Sequence, residues 1–321
     1  MAHRIGIIGL GVMGERMLRQ MSAHRSFTIA AAWDPAPGAA EKLTRLSPEA
    51  RFAESAHALI ADPAIDGVYI ASPPASHLAH VHRAFDHGKR VLCEKPLATD
   101  LVDARATVAR VEREGRAAAI NFPFASAPAV RAIVSGLRSG ELGTIRNIEI
   151  FLRFAQWPRA WQASATWLAR RKEGGFVREV LSHFLFLTQR LIGPLRLGRT
   201  RVQYPATGDG AESAISAELD AGGVPVRIDG RVGGAEADLN RWILSAERGA
   251  FELHDWYSLK RRINGGWLDV DFGEGSPREM TARAQLDSFS AMLQGKPHGL
   301  ASFREGLAVQ ECIETMLHGG G

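Results

Sequence analysis

The run of glycines that follows the first apolar segment is the feature that most constrains the fold. A strand-length apolar run leads into the spacing G-x-G-x-x-G, and an amphipathic stretch follows it. In a strand–turn–helix context the first glycine permits a tight turn, the second admits a pyrophosphate, and the third lets helix and strand pack closely. The N-terminus of the helix then favours an anion. The same spacing also occurs in ordinary βαβ turns. The predicted phosphate contacts are Gly9, Gly11, Val12, Met13 and Gly14.

The acidic residue Asp34 ends the next apolar run, Phe27 to Trp33, and lies twenty residues beyond Gly14. An acid at this distance commonly hydrogen-bonds the 2′-hydroxyl of the adenosine ribose. A carboxylate repels a 2′-phosphate, and the neighbouring residues 35–37 supply no arginine. The sequence therefore predicts NAD as the cofactor, with NADP possible.

Apolar runs continue to alternate with helical patterns as far as Phe122. Such alternation predicts a parallel, doubly wound α/β sheet of the Rossmann type, here in a first domain of residues 1–122. Two loops, Ser72–His77 and Glu94–Pro96, leave the carboxyl ends of predicted strands. Ligands bind at these ends in open α/β sheets. The predicted cofactor contacts in these loops are Ser72, Pro73, His77, Glu94 and Lys95.

Lys95 lies directly after the buried run Arg90–Cys93 and Glu94, and Pro96 follows it. The residue before a proline is restricted to extended geometry, and proline has no N–H to continue a strand ladder. Lys95 is therefore expected on a stiff backbone just past the end of a strand, where a ligand would bind.

The pattern changes after residue 122. Thr144–Phe154 is a long segment that alternates apolar and polar residues, and further β-like segments follow it. Consecutive strands without intervening helices predict an antiparallel sheet. Helices are predicted from about Pro277 to Leu293 and from Phe303 to Leu317. Residues 123–321 are therefore predicted to form an α+β domain.

A glycine pair in this second domain, Gly174 and Gly175, leads into a predicted helix that runs to about Ile192. Glu179 and His183 are four residues apart in it and would share a face. A carboxylate one turn from an imidazole can orient the ring and stabilise its protonated form. On spacing alone, a surface Glu–His pair is the favoured interpretation.

Composition narrows the remaining function classes. The net charge of +4 is spread along the chain, which gives weak grounds for a nucleic-acid partner. No window approaches the roughly 18 apolar residues of a membrane span. Cys93 and Cys312 have no metal or redox spacing, and a cytoplasmic location fits. No metal is predicted, because His77, His80 and His82 would not converge on one helix face.

Several stretches together resemble the glucose–fructose oxidoreductase / inositol dehydrogenase / MocA (Gfo/Idh/MocA) family of NAD(P)-dependent dehydrogenases. The resemblance runs in order along essentially the whole chain, and Glu94-Lys95-Pro96 is its most specific part. It implies a Rossmann domain followed by a domain with an open, mostly antiparallel sheet, which carries a substrate pocket and often forms oligomer contacts. The matching stretches are Gly9–Gly14, Ala71–Pro73 with His77, Gly88–Leu97, Gly140–Gly143 and Gly174–His183.

The resemblance further implies an enzyme that exchanges a hydride with a carbinol or carbonyl carbon of a small sugar-, polyol- or diol-like substrate, as a homodimer or homotetramer. Lys95 matches the family's lysine near the reacting oxygen, and His183 matches its acid/base histidine. Glu179 stands where members commonly carry aspartate. Phe186 replaces an acid found in many sugar-binding members. Because phenylalanine cannot bind a hydroxyl, a less polar substrate is favoured.

Two alternatives remain open. The altered residues Glu179 and Phe186 would suit an NAD-binding regulator or sensor without turnover. A basic stretch before and within the candidate helix could instead bind the carboxylate of an anionic substrate. A solvated basic surface also explains that stretch, which comprises Arg170, Arg171, Lys172 and Arg178.

Overall fold

The computed structural model of the protein describes residues 2–163, 165–206, 208–235, 237–263 and 265–319. The chain divides into two units. Unit 1 comprises Met1–Ser126 and Ala282–Leu307, and unit 2 comprises Ala127–Thr281 and Ala308–Gly321.

Unit 1 is built on a six-stranded sheet. Its strands are β1 (His3–Ile8), β2 (Phe27–Trp33), β3 (Arg51–Phe52), β4 (Gly67–Ile70), β5 (Arg90–Cys93) and β6 (Ala118–Ile120). Their order across the sheet is β3-β2-β1-β4-β5-β6, and every neighbouring pair is parallel. The order reverses between β1 and β4, which is the topological switch point at which ligands bind in doubly wound sheets. The predicted Rossmann architecture is confirmed.

Helices connect these parallel strands. They are α1 (Val12–Ser22), α2 (Ala39–Leu46), α3 (Ala56–Ala61), α4 (His77–Asp86) and α5 (Leu101–Glu114). Local signals in the sequence set their ends. The side chain of Asp100 accepts hydrogen bonds from the N–H groups of Val102 and Asp103 at the start of α5, and Gly115 ends that helix with a left-handed φ of 60°.

Unit 2 is organised around an eight-stranded sheet. Among the helical elements before its second strand are α6 (Pro128–Arg138), a π-helical turn (Val177–Leu181) and α7 (Ser182–Ile192). The strands are β7 (Ile145–Phe154), β8 (Leu195–Gln203), β9 (Ala214–Ala221), β10 (Val224–Val232), β11 (Leu239–Ala246), β12 (Gly249–His254), β13 (Ser258–Ile263) and β14 (Gly266–Asp269). Their order is β14-β13-β12-β11-β7-β10-β9-β8.

The pairs in this sheet are antiparallel except β7 with β10, which is parallel. The prediction of a mostly antiparallel sheet is therefore confirmed, although β13 and β14 had no clear sequence signal. The apolar positions of β7, Ile148, Ile150 and Leu152, are fully buried. A hydrogen bond of 2.9 Å from Trp242 Nε1 to Thr188 Oγ1 ties β11 to α7.

The last two helices, α8 (Pro277–Leu293) and α9 (Phe303–His318), each begin in one unit and end in the other. Phe289 of α8 stacks on Phe27 of β2 with ring centroids 5.6 Å apart. Residues 282–307 therefore belong to unit 1, whereas the sequence prediction placed them with 123–321. The difference arises because the apolar face of α8 completes the core of the first sheet, a long-range pairing that local patterns do not reveal.

Candidate active site

The glycine turn after β1 has the shape that a bound pyrophosphate requires. Gly9 has a φ of +94°, and a Cβ there would lie 2.5 Å from the carbonyl oxygen of Ala71 and 2.7 Å from the nitrogen of Ser72. A Cβ on Gly14 would collide with the carbonyl oxygen of Gly9. A Cβ on Gly11 would meet nothing within 4 Å. Gly9 and Gly14 thus serve close packing, and Gly11 leaves open space at the start of α1, where Val12 and Met13 follow.

The carboxylate of Asp34 is fixed beside this turn. Its Oδ2 accepts a hydrogen bond of 2.6 Å from Leu10 N, and its Oδ1 accepts one of 2.8 Å from Ala36 N. Each carboxylate oxygen can accept a further bond, such as one from a ribose hydroxyl. Lys42 donates to Leu10 O at 2.6 Å and pairs with Glu15 at 2.7 Å. Lys42 was missed from the sequence because only the fold brings α2 to the turn.

The imidazole of His77 joins the two predicted cofactor loops of unit 1. Its Nε2 lies 2.8 Å from Ser72 O, its Nδ1 lies 2.9 Å from Pro96 O, and the residue is only 1% exposed. Burial lowers the pKa of His77 to about 4, although the two carbonyl groups act in the opposite direction. The ring is therefore neutral at neutral pH and donates through one nitrogen. The loop from Ser72 also contains Pro73, and Ser72 Oγ lies 2.7 Å from Ser76 Oγ.

Glu94 anchors the segment that carries Lys95. Its Oε1 accepts hydrogen bonds from Tyr69 Oη and, at 2.5 Å, from Asn121 Nδ2. Gln285 of α8 donates in turn to Asn121 Oδ1. Burial, followed by the negative charge of Glu94, raises the pKa of Tyr69 well above its usual value, so the phenol remains a donor. Lys95 therefore extends from a backbone that a buried network holds in place, and the Lys95–Pro96 peptide bond is cis.

The stretch that carries Glu179 is π-helical, whereas the sequence predicted a regular helix. The preceding Gly175 has a φ of +96°, and the carboxylate of Glu212 occupies the space that a Cβ there would need. Glu212 Oε1 accepts a bond of 2.7 Å from Val177 N. Its Oε2 has no hydrogen-bond partner among the described residues, and burial raises the pKa of Glu212 to about 7. Short π-helical segments recur at functional sites.

Glu179 and His183 both belong to unit 2, but α-helical spacing does not describe the pair, because Glu179 lies in the π-helical turn and His183 in α7. Glu179 Oε1 accepts a hydrogen bond of 3.2 Å from Gln162 Nε2. His183 is 8% exposed, and its ring makes an edge contact with Trp256, with centroids 5.3 Å apart.

Trp256 is a residue of this site that no sequence motif marks. It lies in the loop Asp255–Tyr257 between β12 and β13, where Asp255 has a φ of 48° and Trp256 a φ of 70°. The left-handed region costs a non-glycine residue roughly 1–2 kcal/mol. The side chain of Asn240 supports the loop, since its Oδ1 accepts a bond of 2.8 Å from Trp256 N.

Two of the four basic residues of the anionic-substrate alternative, Arg170 and Arg178, form ion pairs within the protein. Arg178 donates to both carboxylate oxygens of Glu314 at 2.7 Å, to Arg171 O at 2.9 Å and to Gly174 O at 3.0 Å. Arg170 pairs with Asp209 at 2.7 Å on the surface. Arg178 thus has a structural role in unit 2.

Phe186, which stands where a hydroxyl-binding acid was considered, is fully buried. The guanidinium of Arg190 lies 4.6 Å from the centre of its ring. The side chain at this position is therefore part of the packed interior of unit 2. Among the described residues, no group of three or more His, Cys, Asp or Glu side chains could bind a metal. No helix in the described part of the chain has the length and apolarity needed to cross a bilayer.

Comparison with known proteins agrees with this geometry. Residues 3–122 match the model of the Gfo/Idh/MocA family, described as an oxidoreductase family with an NAD-binding Rossmann fold. An inositol 2-dehydrogenase of Acidothermus cellulolyticus is 34% identical over 142 residues, which cover 44% of this chain and 42% of that protein. A 1-carboxy-3-chloro-3,4-dihydroxycyclohexa-1,5-diene dehydrogenase of Comamonas testosteroni is 29% identical over 57% of this chain and 45% of its own length. The matched segments thus span less than half of either relative.

The fold is shared over a greater length than the sequence. The crystal structure of an oxidoreductase from Agrobacterium radiobacter, solved with NAD+, L-tartaric acid and magnesium, superimposes with a TM-score of 0.85. It covers 100% of this chain and 96% of that one at 19% identity. Residues 3–122, with the glycine turn and Asp34 as described, therefore match the NAD-binding domain of the Gfo/Idh/MocA oxidoreductase family.

Proposed function

We propose that the protein is an NAD(P)-dependent dehydrogenase that acts on the carbinol carbon of a small polyol- or diol-like substrate, with NAD as the preferred cofactor. The open space above Gly11, beside the fixed carboxylate of Asp34, is the observation that carries this proposal. The names of the two relatives, an inositol dehydrogenase and a dihydroxycyclohexadiene dehydrogenase, support the substrate class.

The residues of unit 1 fit a dinucleotide. The turn from Gly9 to Gly14 would hold the pyrophosphate, and Asp34 would accept bonds from the adenosine ribose. Ser72 lies against the turn, since a Cβ on Gly9 would contact its backbone, and Pro73 follows Ser72 in the same loop. When bound, the nicotinamide supplies the hydride acceptor for alcohol oxidation. His77 is proposed to act by holding the two loops rather than by direct contact, since both its ring nitrogens face backbone carbonyls.

Oxidation of a carbinol removes a hydride from carbon and a proton from oxygen. His183 is proposed to take the proton, because an imidazole exchanges protons readily near neutral pH. Lys95 is proposed to stabilise the negative charge that develops on the reacting oxygen through its ammonium group. Glu179 is proposed to bind substrate or to bias the orientation of His183, with Gln162 holding its carboxylate.

Steady-state kinetics of Lys95→Ala and His183→Ala test these roles. We measure NAD and NADP reduction across a panel of cyclic and acyclic polyols, diols and hydroxy acids. Loss of either group is expected to lower kcat by about 10²–10⁴-fold, and NAD affinity should change little in His183→Ala. Lys296→Ala, at an exposed lysine of the same unit as Lys95, is the control and should retain wild-type kcat. Wild-type kcat in both active-site variants would contradict the assignment.

The cofactor preference has its own test. Asp34→Ser removes the charge that disfavours a 2′-phosphate, so the ratio of kcat/KM for NAD to that for NADP should fall by about tenfold or more. An unchanged ratio would show that Asp34 is not the cause of the preference for NAD over NADP. Tight NAD binding by the wild-type protein without turnover on any substrate would instead favour the regulator or sensor.

A further inference from the structure

We propose that Trp256 is a specificity-determining residue whose indole face binds the flat C–H face of a cyclic carbinol beside His183. The inference rests on the proposed dehydrogenase function and narrows its substrate class. The residues that it names all lie in unit 2 and in the described part of the chain.

Two consecutive residues of α7 position the indole. Its ring meets His183 at 5.3 Å between centroids and an interplanar angle of 84°, and it meets Phe184 at 5.7 Å and 35°. Phe184 is completely buried, whereas Trp256 retains exposed surface. A partly accessible indole therefore lies within 5.3 Å, between ring centroids, of the proposed proton acceptor.

The backbone of the loop is held in a conformation that a tryptophan rarely adopts. Asp255 and Trp256 both have positive φ values, 48° and 70°, where glycine would be free of strain. The buried residue Asn240 supports the loop by accepting two hydrogen bonds. Trp256 N donates to its Oδ1 at 2.8 Å, and Asp255 N donates to its backbone carbonyl oxygen at 3.3 Å. Strained backbone conformations persist where surrounding contacts hold them in place, and they cluster at active sites and ligand sites.

The chemistry of an indole selects among carbinols. Its face carries a partial negative charge that attracts C–H bonds, and its large flat area excludes water from an apolar surface. A six-membered ring presents several C–H bonds in one plane, whereas an acyclic diol presents no fixed face and must lose torsional freedom to form one. Trp256 should thus favour a ring-borne hydroxyl over the same hydroxyl on an open chain.

Two variants separate the ring from the backbone. Trp256→Gly removes the indole and also relieves the strain, because glycine is suited to a φ of 70°. Trp256→Phe retains an aromatic face on the strained backbone. The probes are cis-cyclohexane-1,2-diol and meso-butane-2,3-diol, which share the vicinal diol and differ in the ring. Thermal unfolding of each variant reports whether the fold is intact.

We expect Trp256→Gly to lower kcat/KM for the cyclic diol about tenfold more than for the acyclic diol, and Trp256→Phe to keep the wild-type preference within about threefold. Trp267→Gly, at a more exposed tryptophan of the same unit, should leave both values unchanged. Equal losses on both diols would overturn the inference in favour of a role exerted through His183. Unchanged values would overturn it as well.

A second readout does not depend on turnover. Binding of the two diols to the NAD-saturated protein is measured by saturation-transfer-difference NMR. Selective binding of the cyclic diol by the wild type, lost in Trp256→Gly, supports the inference even if no oxidation is seen and the proposed function fails. A wild-type protein that does not prefer the cyclic diol overturns the inference, whether or not it is a dehydrogenase.

Discussion

His77 Nδ1 lies 2.9 Å from the carbonyl oxygen of Pro96, the residue that follows Lys95. The other ring nitrogen lies 2.8 Å from Ser72 O, in the loop that follows β4. One buried side chain therefore fixes the spacing of two loops at the carboxyl ends of adjacent strands. The same spacing sets the position of the Lys95 backbone and of the Ser72 backbone against which Gly9 packs.

Removing this bridge should weaken cofactor binding without touching a proposed contact. His77→Ala is expected to raise the Kd for NAD about tenfold and to lower the free energy of unfolding by roughly 1–3 kcal/mol, because the buried carbonyl group that accepts the ring N–H loses its donor. Calorimetric titration and urea unfolding measure the two effects. His87→Ala, at an exposed histidine just after the same helix, is the control. Wild-type NAD affinity in His77→Ala would show that the bridge does not shape the site.

The glycine turn permits a test in which two similar substitutions have different consequences. Gly11→Ala adds a methyl group to open space at φ −63°, so the protein should fold normally but lose NAD affinity by about 100-fold or more, since the methyl occupies the phosphate position. Gly14→Ala drives a methyl group into the Gly9 carbonyl and should lower the melting temperature even without NAD. Differential scanning calorimetry with and without NAD separates the two. Normal NAD binding by Gly11→Ala would exclude this turn as the phosphate site.

The positions in the fold that the sequence predicted correctly depend on local chemistry. The spacing of Gly9, Gly11 and Gly14 encodes a turn whose requirements involve neighbours only a few residues away. Asp34 directly follows β2, so predicting that strand was enough to place the residue at the carboxyl end of the sheet. Glu94 and Lys95 were placed correctly after β5 because a proline restricts the residue before it.

The parts that were missed depend on pairing between distant segments. Gln285 reaches Asn121 from a helix more than 160 positions along the chain. Glu212 supports the π-helical turn from across the unit, and no pattern around either segment indicates the contact. Trp256 occupies a left-handed position that sequence rules reserve for glycine or asparagine. Local propensity cannot predict a residue that the tertiary structure holds against that propensity.

Acid should destabilise the protein through His77. Its pKa is about 4 in the folded state and near 6.5 in the unfolded chain, so the unfolded state takes up the proton first as the pH falls. The stability contributed by the neutral ring is complete above pH 6.5 and is lost towards pH 4, to a total of roughly 3 kcal/mol. Urea unfolding at several pH values should show this slope in the wild type and a reduced slope in His77→Ala.

Glu212 should have the opposite effect to His77 on the pH dependence of the free energy of unfolding. Its pKa is about 7 when folded against 4.5 ordinarily, so the folded state binds the proton first and stability falls as the pH rises from 4.5 to 7. Glu212→Gln mimics the protonated acid and can still accept the bond from Val177 N. It should stabilise the protein by roughly 2–3 kcal/mol at pH 8 and by little at pH 4.5. Equal stabilisation at both pH values would show that removal of charge is not the cause.

The pair of Arg178 and Glu314 should prove structural and not a substrate contact. Arg178→Met removes the guanidinium that binds both oxygens of the partly buried Glu314 carboxylate and is expected to lower the free energy of unfolding by roughly 3–5 kcal/mol. Combining it with Glu314→Leu removes both charges and should recover much of the loss, which a double-mutant cycle by urea unfolding measures. Arg170→Met breaks a surface pair and should cost less than about 1 kcal/mol. If Arg178→Lys, which keeps the charge, folded normally but raised KM for carboxylate-bearing substrates alone, Arg178 would be a substrate contact and the anionic-substrate alternative would regain support.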